Sequence, residues 1–263
     1  MPILLSLIAS LGLATGSFLN VVIHRVPRGE PLLSPPSRCA NCGRSIRGRQ
    51  NIPVLGWLLL KGRCADCAAP IGARYPLVEL VTAGMFVAVT VQLSRAHLLG
   101  ALPAYLFFAA IGIALAVIDL DCRRLPNAIV LPAYPVVAIL LTFSSAWTHD
   151  WAALVRAGLG GLALFVFYFL LAALYPAGMG LGDVKLAGVL GGLLAYLSWP
   201  ALVIGAFGAF LLGGLTGLGV LISRRGGRKY QLPFGPFMIA GALVALFAAA
   251  PLADWYLDAL TGR

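Results

Sequence analysis

Two aspartates stand at the ends of apolar runs in a chain otherwise suited to lipid: Asp119 in VIDLDCRRLPN and Asp183 in GMGLGDVKLAG. A carboxylate at the edge of a bilayer is costly, so one found there usually has a chemical task. Two that meet across a helical bundle are the minimum equipment of an aspartic peptidase, one acting as base toward water and the other as acid. Asp121 is a poor partner for Asp119, because two positions along a helix turn the side chains apart by about 200°. Asp119 and Asp183, from different spans that end on the same expected side, make the better pair. Neighbouring carboxyls in a partly apolar site do not both ionise readily, so the pair is expected to hold one proton between them. The plainer roles are pairing of Asp119 with Arg123 or Arg124, and pairing of Asp183 with Lys185 or service as a helix cap. For both aspartates to be incidental is the weaker reading.

The elements that must position these groups are apolar helices. The chain has 263 residues, 60% of them hydrophobic and 11% charged, with nine acidic side chains in all. A span needs about 20 mainly apolar residues. Eight candidates lie near 2–23, 76–95, 101–118, 128–146, 153–175, 186–197, 199–222 and 234–252, the sixth being short and meeting the seventh at Leu197-Ser198-Trp199-Pro200. Strand-like alternation is absent, which argues against a barrel. Met1-Pro2 leads straight into an apolar stretch with no basic region before it, so the first span is expected to remain in the mature protein. The expected fold is an all-α integral membrane protein with about eight transmembrane helices and a small cytoplasmic zinc-knuckle insert. Its parts are a first span (1–23), the insert (24–75), a seven-span bundle (76–252) and a short tail (253–263).

Cytoplasmic loops retain Lys and Arg. With the loop 24–75 placed there, 119–127, 176–185 and 223–233 follow, and these four segments hold 16 of the 19 basic residues. The net charge of +10 is then a matter of orientation and of contact with membrane lipid, not of nucleic acid, for which the basic residues lack interleaved aromatic platforms. His97 and His149 fall on the opposite side from the aspartates. His24 reads as an interfacial anchor.

The same topology bears on the cysteines. Cys39-Ala-Asn-Cys42 and Cys64-Ala-Asp-Cys67 fall in the insert, and paired CxxC knuckles are a strong tetrathiolate zinc signal. A polar loop of this size has too little core to hold itself together without a staple. Zinc bound by Cys39, Cys42, Cys64 and Cys67 would be structural, since four thiolates close the coordination sphere. Redox dithiols are the alternative. Gly43 and Gly62 suit the tight turns that such knuckles need. Cys122 reads as a small interfacial residue. In Gly178-Met179-Gly180-Leu181-Gly182-Asp183, three glycines are expected to loosen the helix and open a path to Asp183.

An ordered set of motifs carries a resemblance. Gly16-Ser17-Phe18-Leu19-Asn20-Val21-Val22, the two CxxC pairs, Asn51-Ile52-Pro53 and Arg74-Tyr75-Pro76-Leu77-Val78-Glu79-Leu80 come first. Asp119 to Asn127, Gly180-Leu181-Gly182-Asp183-Val184-Lys185 and Leu232-Pro233-Phe234-Gly235-Pro236-Phe237 follow. Over nearly its whole length the chain resembles the bacterial type IV prepilin peptidases, which share the GxGD element with presenilin-like peptidases. The resemblance implies an inner-membrane enzyme with its active site toward the cytoplasm. Such an enzyme cuts the basic leader of prepilins and pseudopilins of type IV pilus or type II secretion systems after glycine. It then methylates the new amino terminus with S-adenosylmethionine. It further implies Asp119 and Asp183 as the peptidase dyad, and the retained cysteines favour the bifunctional type. No Rossmann-type fingerprint is present, so a methyl-donor pocket must be built from the insert and adjoining helix ends. Gly62, Glu79 and the Gly16 to Asn20 segment are its candidates. Glu79 reads equally as a snorkelling interfacial group, and Asn20 as an interhelical hydrogen-bond partner.

Two other classes compete. Gly-interrupted spans with intramembrane aspartates also mark ion-coupled carriers, but no matching inverted half is present. A noncatalytic assembly factor docking a partner through its knuckle would tolerate loss of either aspartate.

Overall fold

In the computed structural model, residues 1–175, 178–223 and 232–261 are described. Most of the basic loop 223–233 and all of the tail beyond Thr261 lie outside them. Among the described residues there are helices, turns and two isolated bridges, but no strand. Seven helices are long and apolar enough to cross a membrane, which makes this a multi-pass membrane protein. The chain divides into two compact units, Met1–Ala114 and Leu115–Arg263.

The first unit holds α1 (Pro2–Arg25), the short α2 (Leu55–Leu59) inside the insert, α3 (Arg74–Arg95) and the first part of α4 (Leu102–Cys122). Helices α1 and α3 pack closely because α1 presents glycines at the crossing: a Cβ on Gly12 would sit 2.6 Å from Ala83 Cα, and one on Gly16 2.6 Å from Glu79 Cα. Small residues of this kind let membrane helices approach backbone to backbone. Asn20 ties the same pair together, its Nδ2 donating to the Tyr75 carbonyl at 3.1 Å, which is the interhelical role.

The second unit holds the end of α4 with α5 (Asn127–Thr148), α6 (Trp151–Leu174), α7 (Leu181–Leu197), α8 (Trp199–Ile222) and α9 (Gly235–Thr261). At its centre is α7, which packs against α5, α6, α8 and α9. It is buried over nearly its full circumference, from Val184 to Tyr196. This explains why the short sixth span is tolerated. A helix of 17 residues is about 25 Å long, less than a hydrocarbon core, but one surrounded by protein does not have to match the lipid. Its start is Leu181, earlier than the apolar run suggests, because Gly180 ends the loop and Leu181 already begins the helix. Its junction with α8 lies where the sequence places it, and Ser198 Oγ accepts the Ala201 N–H to cap α8.

The C-terminal end of α7 carries carbonyls that no further turn satisfies. Arg156 of α6 supplies the donors: Nε to Ala195 O at 2.5 Å and an Nη to Tyr196 O at 2.7 Å. Arg156→Met removes them and leaves those carbonyls buried. We expect a loss of about 2–3 kcal/mol, read as a lowered thermal midpoint in detergent; an unchanged midpoint would mean that these bonds are replaced. The last helix also departs from expectation. The apolar run predicts a span ending at 252 with a tail after it; α9 continues through Asp254 and Asp258 to Thr261. Charged residues end an apolar run without ending a helix.

Candidate active site and metal centre

In the second unit, one end of the helix bundle gathers the carboxylates. Asp119 lies in the last turn of α4, and its neighbour Arg123 ends that helix in a left-handed conformation at φ 53°. Pro126 then sets the extended residue before α5. Asp119 is 5% exposed whereas Asp121, two residues on, is exposed, so the two do point to different surroundings. The Asp119 carboxylate accepts the backbone N–H of Gly235 at 3.1 Å. Gly235 opens α9, and Pro236 follows at a position where a missing N–H costs nothing.

Asp183 is the third residue of α7 and reaches back to accept the N–H of Gly180 at 3.2 Å. The glycine run therefore lies at the helix start and does not break it. Asp183 and Asp119 are within electrostatic reach of each other. Each carboxylate is held by the backbone N–H of a glycine at a helix N-terminus. Lys185 turns to Asn127: its Nζ donates to Asn127 Oδ1 at 3.0 Å, joining the first turn of α7 to the start of α5. His149 caps the far end of α5, about 33 Å away along a 22-residue helix.

Residues with no assigned role in the sequence frame this pair. A Cβ on Gly235 would stand 2.8 Å from Asp119 Oδ2 and 3.2 Å from the Leu125 side chain; one on Gly182 would stand 3.0 Å from Leu125 Cβ. Leu125 thus fills the space between the two glycine-bearing helix starts. Phe234, just before Gly235, packs on Phe210 with ring centroids 5.3 Å apart and on Tyr168 at 6.2 Å. This cluster braces the segment whose N–H holds Asp119. The Gly-Pro pair is the one local signal of it, since that pair marks a helix start.

In the first unit, the four cysteines converge. Their sulfurs all lie within 4.8 Å of one another, and Cys39 and Cys67 Sγ are 3.8 Å apart. A tetrahedral zinc with bonds of about 2.3 Å has edges of about 3.8 Å, so the donor set fits zinc. Each CxxC forms the same turn: the Cys39 N–H bonds to Arg44 O and the Cys64 N–H to Ala69 O. Backbone N–H groups of Cys42 and Asn41 hold the Cys39 thiol down at about 6, and those of Ala69, with the Asn41 amide, lower Cys67. Cys42 moves the other way: against the lowering Arg44 backbone N–H, burial and the three neighbouring sulfurs push it up to about 11, so four crowded thiols do not all ionise without a cation among them. Gly43 and Gly62 have φ of 68° and 67°, as tight turns demand, and Ala68 takes the place of Gly43 in the second knuckle at φ 57°. Asp66 joins the knuckles through Arg44 at 3.2 Å.

Glu79 is buried, at 7% exposure, and its Oε2 accepts the Val54 N–H at 2.7 Å. It does not snorkel, because the insert folds over it and provides a donor. Glu79, Ser17 and Asn20 line a cavity of about 590 Å³ within this unit. Gly62 does not line it; it lies behind Trp57, which does, and a Cβ there would be 2.9 Å from the indole.

Fold and site together define a polytopic helical membrane protein with a paired-carboxylate centre and a tetrathiolate insert. The family model for the bacterial peptidase A24 N-terminal domain matches residues 10–93, and that for the type IV leader peptidase family matches residues 106–218. The chain is 36% identical over 277 residues to the prepilin leader peptidase/N-methyltransferase of Aeromonas hydrophila, covering 96% of this chain and 93% of that protein. It is 37% identical over 277 residues to the one from Dichelobacter nodosus, covering 94% and 93%, and 33% identical over 276 residues to that of Burkholderia pseudomallei strain 1026b, covering 92% and 84%. The chain belongs to the prepilin leader peptidase/N-methyltransferase family. No solved structure matches it.

Proposed function

We propose that this protein is a bifunctional enzyme of the bacterial inner membrane. It cleaves the basic leader from type IV prepilins and pseudopilins after glycine, and it methylates the exposed amino terminus using S-adenosylmethionine. The observation that carries the peptidase half is that Asp119 and Asp183 are each held by a glycine N–H at two helix starts that share Leu125 as a neighbour, at one end of the second unit. Family membership supports both halves.

In the mechanism we infer, one aspartate is ionised and the other protonated. The ionised carboxylate takes a proton from water as its oxygen attacks the carbonyl carbon of the scissile bond, and the protonated one gives its proton to the carbonyl oxygen. Collapse of the tetrahedral intermediate breaks the C–N bond, the leaving nitrogen takes up a proton, and the pair returns to its starting state. The glycine N–H groups fix one oxygen of each carboxylate and leave the other for water and substrate. Both groups face the cytoplasm in this reading, where the leader lies. Zinc held by Cys39, Cys42, Cys64 and Cys67 is structural and takes no part in the chemistry. When bound, the methyl donor supplies an activated methyl group. The cavity beside Glu79 in the first unit would hold it, with Gly62 setting the position of Trp57.

The test is mass spectrometry of a leader-bearing pilin incubated with the purified protein and S-adenosylmethionine. The expected product lacks the leader and carries one methyl group on its new amino terminus. Intact substrate in the presence of zinc-loaded protein would contradict the reading, and ion flux without cleavage would replace it by transport. Gly235→Ala supplies a finer check. The added Cβ crowds Asp119 Oδ2, and since misplacement by about 1 Å can cost about 10²-fold, cleavage is expected to fall by about that factor. The same rate with Ala would mean that Asp119 is positioned by other contacts.

A further inference from the structure

Of the non-glycine residues at positive φ in the insert, Val54 is the one that a buried carboxylate fastens. Val54 has φ 60° and ψ −51°, and the Leu55 N–H closes onto the Pro53 carbonyl at 2.6 Å. This is a γ-turn of the disfavoured hand, with a β-branched residue at its centre, where positive φ is a genuine outlier. Strain of this kind persists only where its surroundings hold it, and it gathers at ligand clamps and active sites. What holds it is Glu79, whose Oε2 receives the Val54 N–H from across the cavity wall.

Glu79 is buried at the cavity wall, and the Val54 N–H takes up one oxygen of its carboxylate. A carboxylate offers about four acceptor positions, and a buried one is costly unless a positive charge or several donors face it. Of the cationic side chains that line the same cavity, Arg38 is exposed and His24 faces Arg28, and the other two are committed elsewhere. Arg25 gives its guanidinium to the carbonyls of Pro31, Leu32 and Pro35, and Arg44 is paired with Asp66. Trp57 lines the cavity as well, its Nε1 anchored on the Ile71 carbonyl at 3.0 Å, and an indole ring is the best aromatic partner for a cation. At about 590 Å³ the space falls within the roughly 300–1,000 Å³ usual for small-molecule sites.

We propose that Glu79 is the counter-charge for an organic cation bound in this cavity, with the Pro53-Val54-Leu55 turn as the strap that aims it. The inference rests on the methyl-transfer reading, which offers two such cations. One is the sulfonium of the methyl donor, and the other is the ammonium at the amino terminus of the cleaved substrate.

Equilibrium dialysis with the full-length protein in nanodiscs separates them. The probes are S-adenosylmethionine against S-adenosylhomocysteine, which lacks the sulfonium charge, and a leader-free peptide beginning with Phe against its N-acetylated form. The wild type is expected to prefer the charged member of one pair by about tenfold or more, and Glu79→Gln is expected to lose that preference while retaining zinc. Gln keeps an acceptor for the Val54 N–H, so the strap remains tied. A zinc-loaded Glu79→Gln protein that keeps the preference overturns the proposal, as does a wild type that binds both members of each pair equally. If the Gln variant loses zinc, Glu79→Asp, which keeps the charge, must keep the preference; a zinc-loaded Asp variant without it also overturns the role. A wild type that binds none of the probes removes the methyl-transfer reading itself.

Discussion

Asp119→Asn and Asp183→Asn are each expected to lower leader cleavage by roughly 10³-fold or more, while zinc content and thermal midpoint stay near those of the wild type. The magnitude follows from the role. Proton transfer by a positioned group contributes about 10²–10⁴-fold, and an amide can neither take the proton from water nor give one to the carbonyl. The structure adds a reason to expect intact folding. Each aspartate accepts one backbone N–H, from Gly235 or from Gly180, and an Asn oxygen can accept the same bond. The double variant should be no worse than either single one, because groups that act as a unit are not additive. Substantial cleavage by either single variant would leave the assembly-factor reading standing.

Metal removal is expected to have the next largest effect, and to act unequally. Structural zinc supplies about 10–16 kcal/mol of apparent binding energy in small domains, which is folding energy for the segment it closes. Here the ion would join two knuckles that share otherwise only short contacts, such as Asp66 with Arg44 and Asn41 with Cys67. Cys39→Ser with Cys64→Ser should therefore loosen the insert, expose it to limited proteolysis and shift the fluorescence of Trp57. The cavity wall from Asn51 to Trp57 belongs to this segment, so methyl transfer should be lost. Cleavage should decline less, because Asp119 and Asp183 with their glycine partners all lie in the second unit. Equal loss of both activities would mean that the insert shapes the peptidase site.

Much of this arrangement can be read from local sequence. Apolar runs mark the spans because, without the alternation of a barrel strand, lipid leaves the backbone only the helix. The CxxC pairs announce a tetrathiolate cluster, since ligand spacing is a local matter. Asp119 and Asp183 stand out because carboxylates are rare in such a chain. Helix limits were less legible: Gly180 to Gly182 suggests a loosened helix where it is in fact a helix start, and α9 runs on past the apolar residues that define its span. Least legible were the contacts that give the sites their shape. Gly235 reaches Asp119 across 116 residues and Val54 reaches Glu79 across 25, and both donate a backbone N–H, which every residue but proline carries. Nothing in residue type distinguishes such a donor. Ala68, in a left-handed turn, is likewise visible only beside Gly43 in the matching knuckle.

The central claim is that one chain performs two reactions with two separate sets of residues. The most direct measurement gives the Asp119→Asn, Asp183→Asn double variant both a leader-bearing pilin and a pilin whose leader has already been removed, with S-adenosylmethionine present. Mass spectrometry then reads each amino terminus. The first substrate should stay uncut and unmethylated, and the second should be methylated as by the wild type. Cleavage of the first, or failure to methylate the second by a folded, zinc-loaded protein, would contradict that claim.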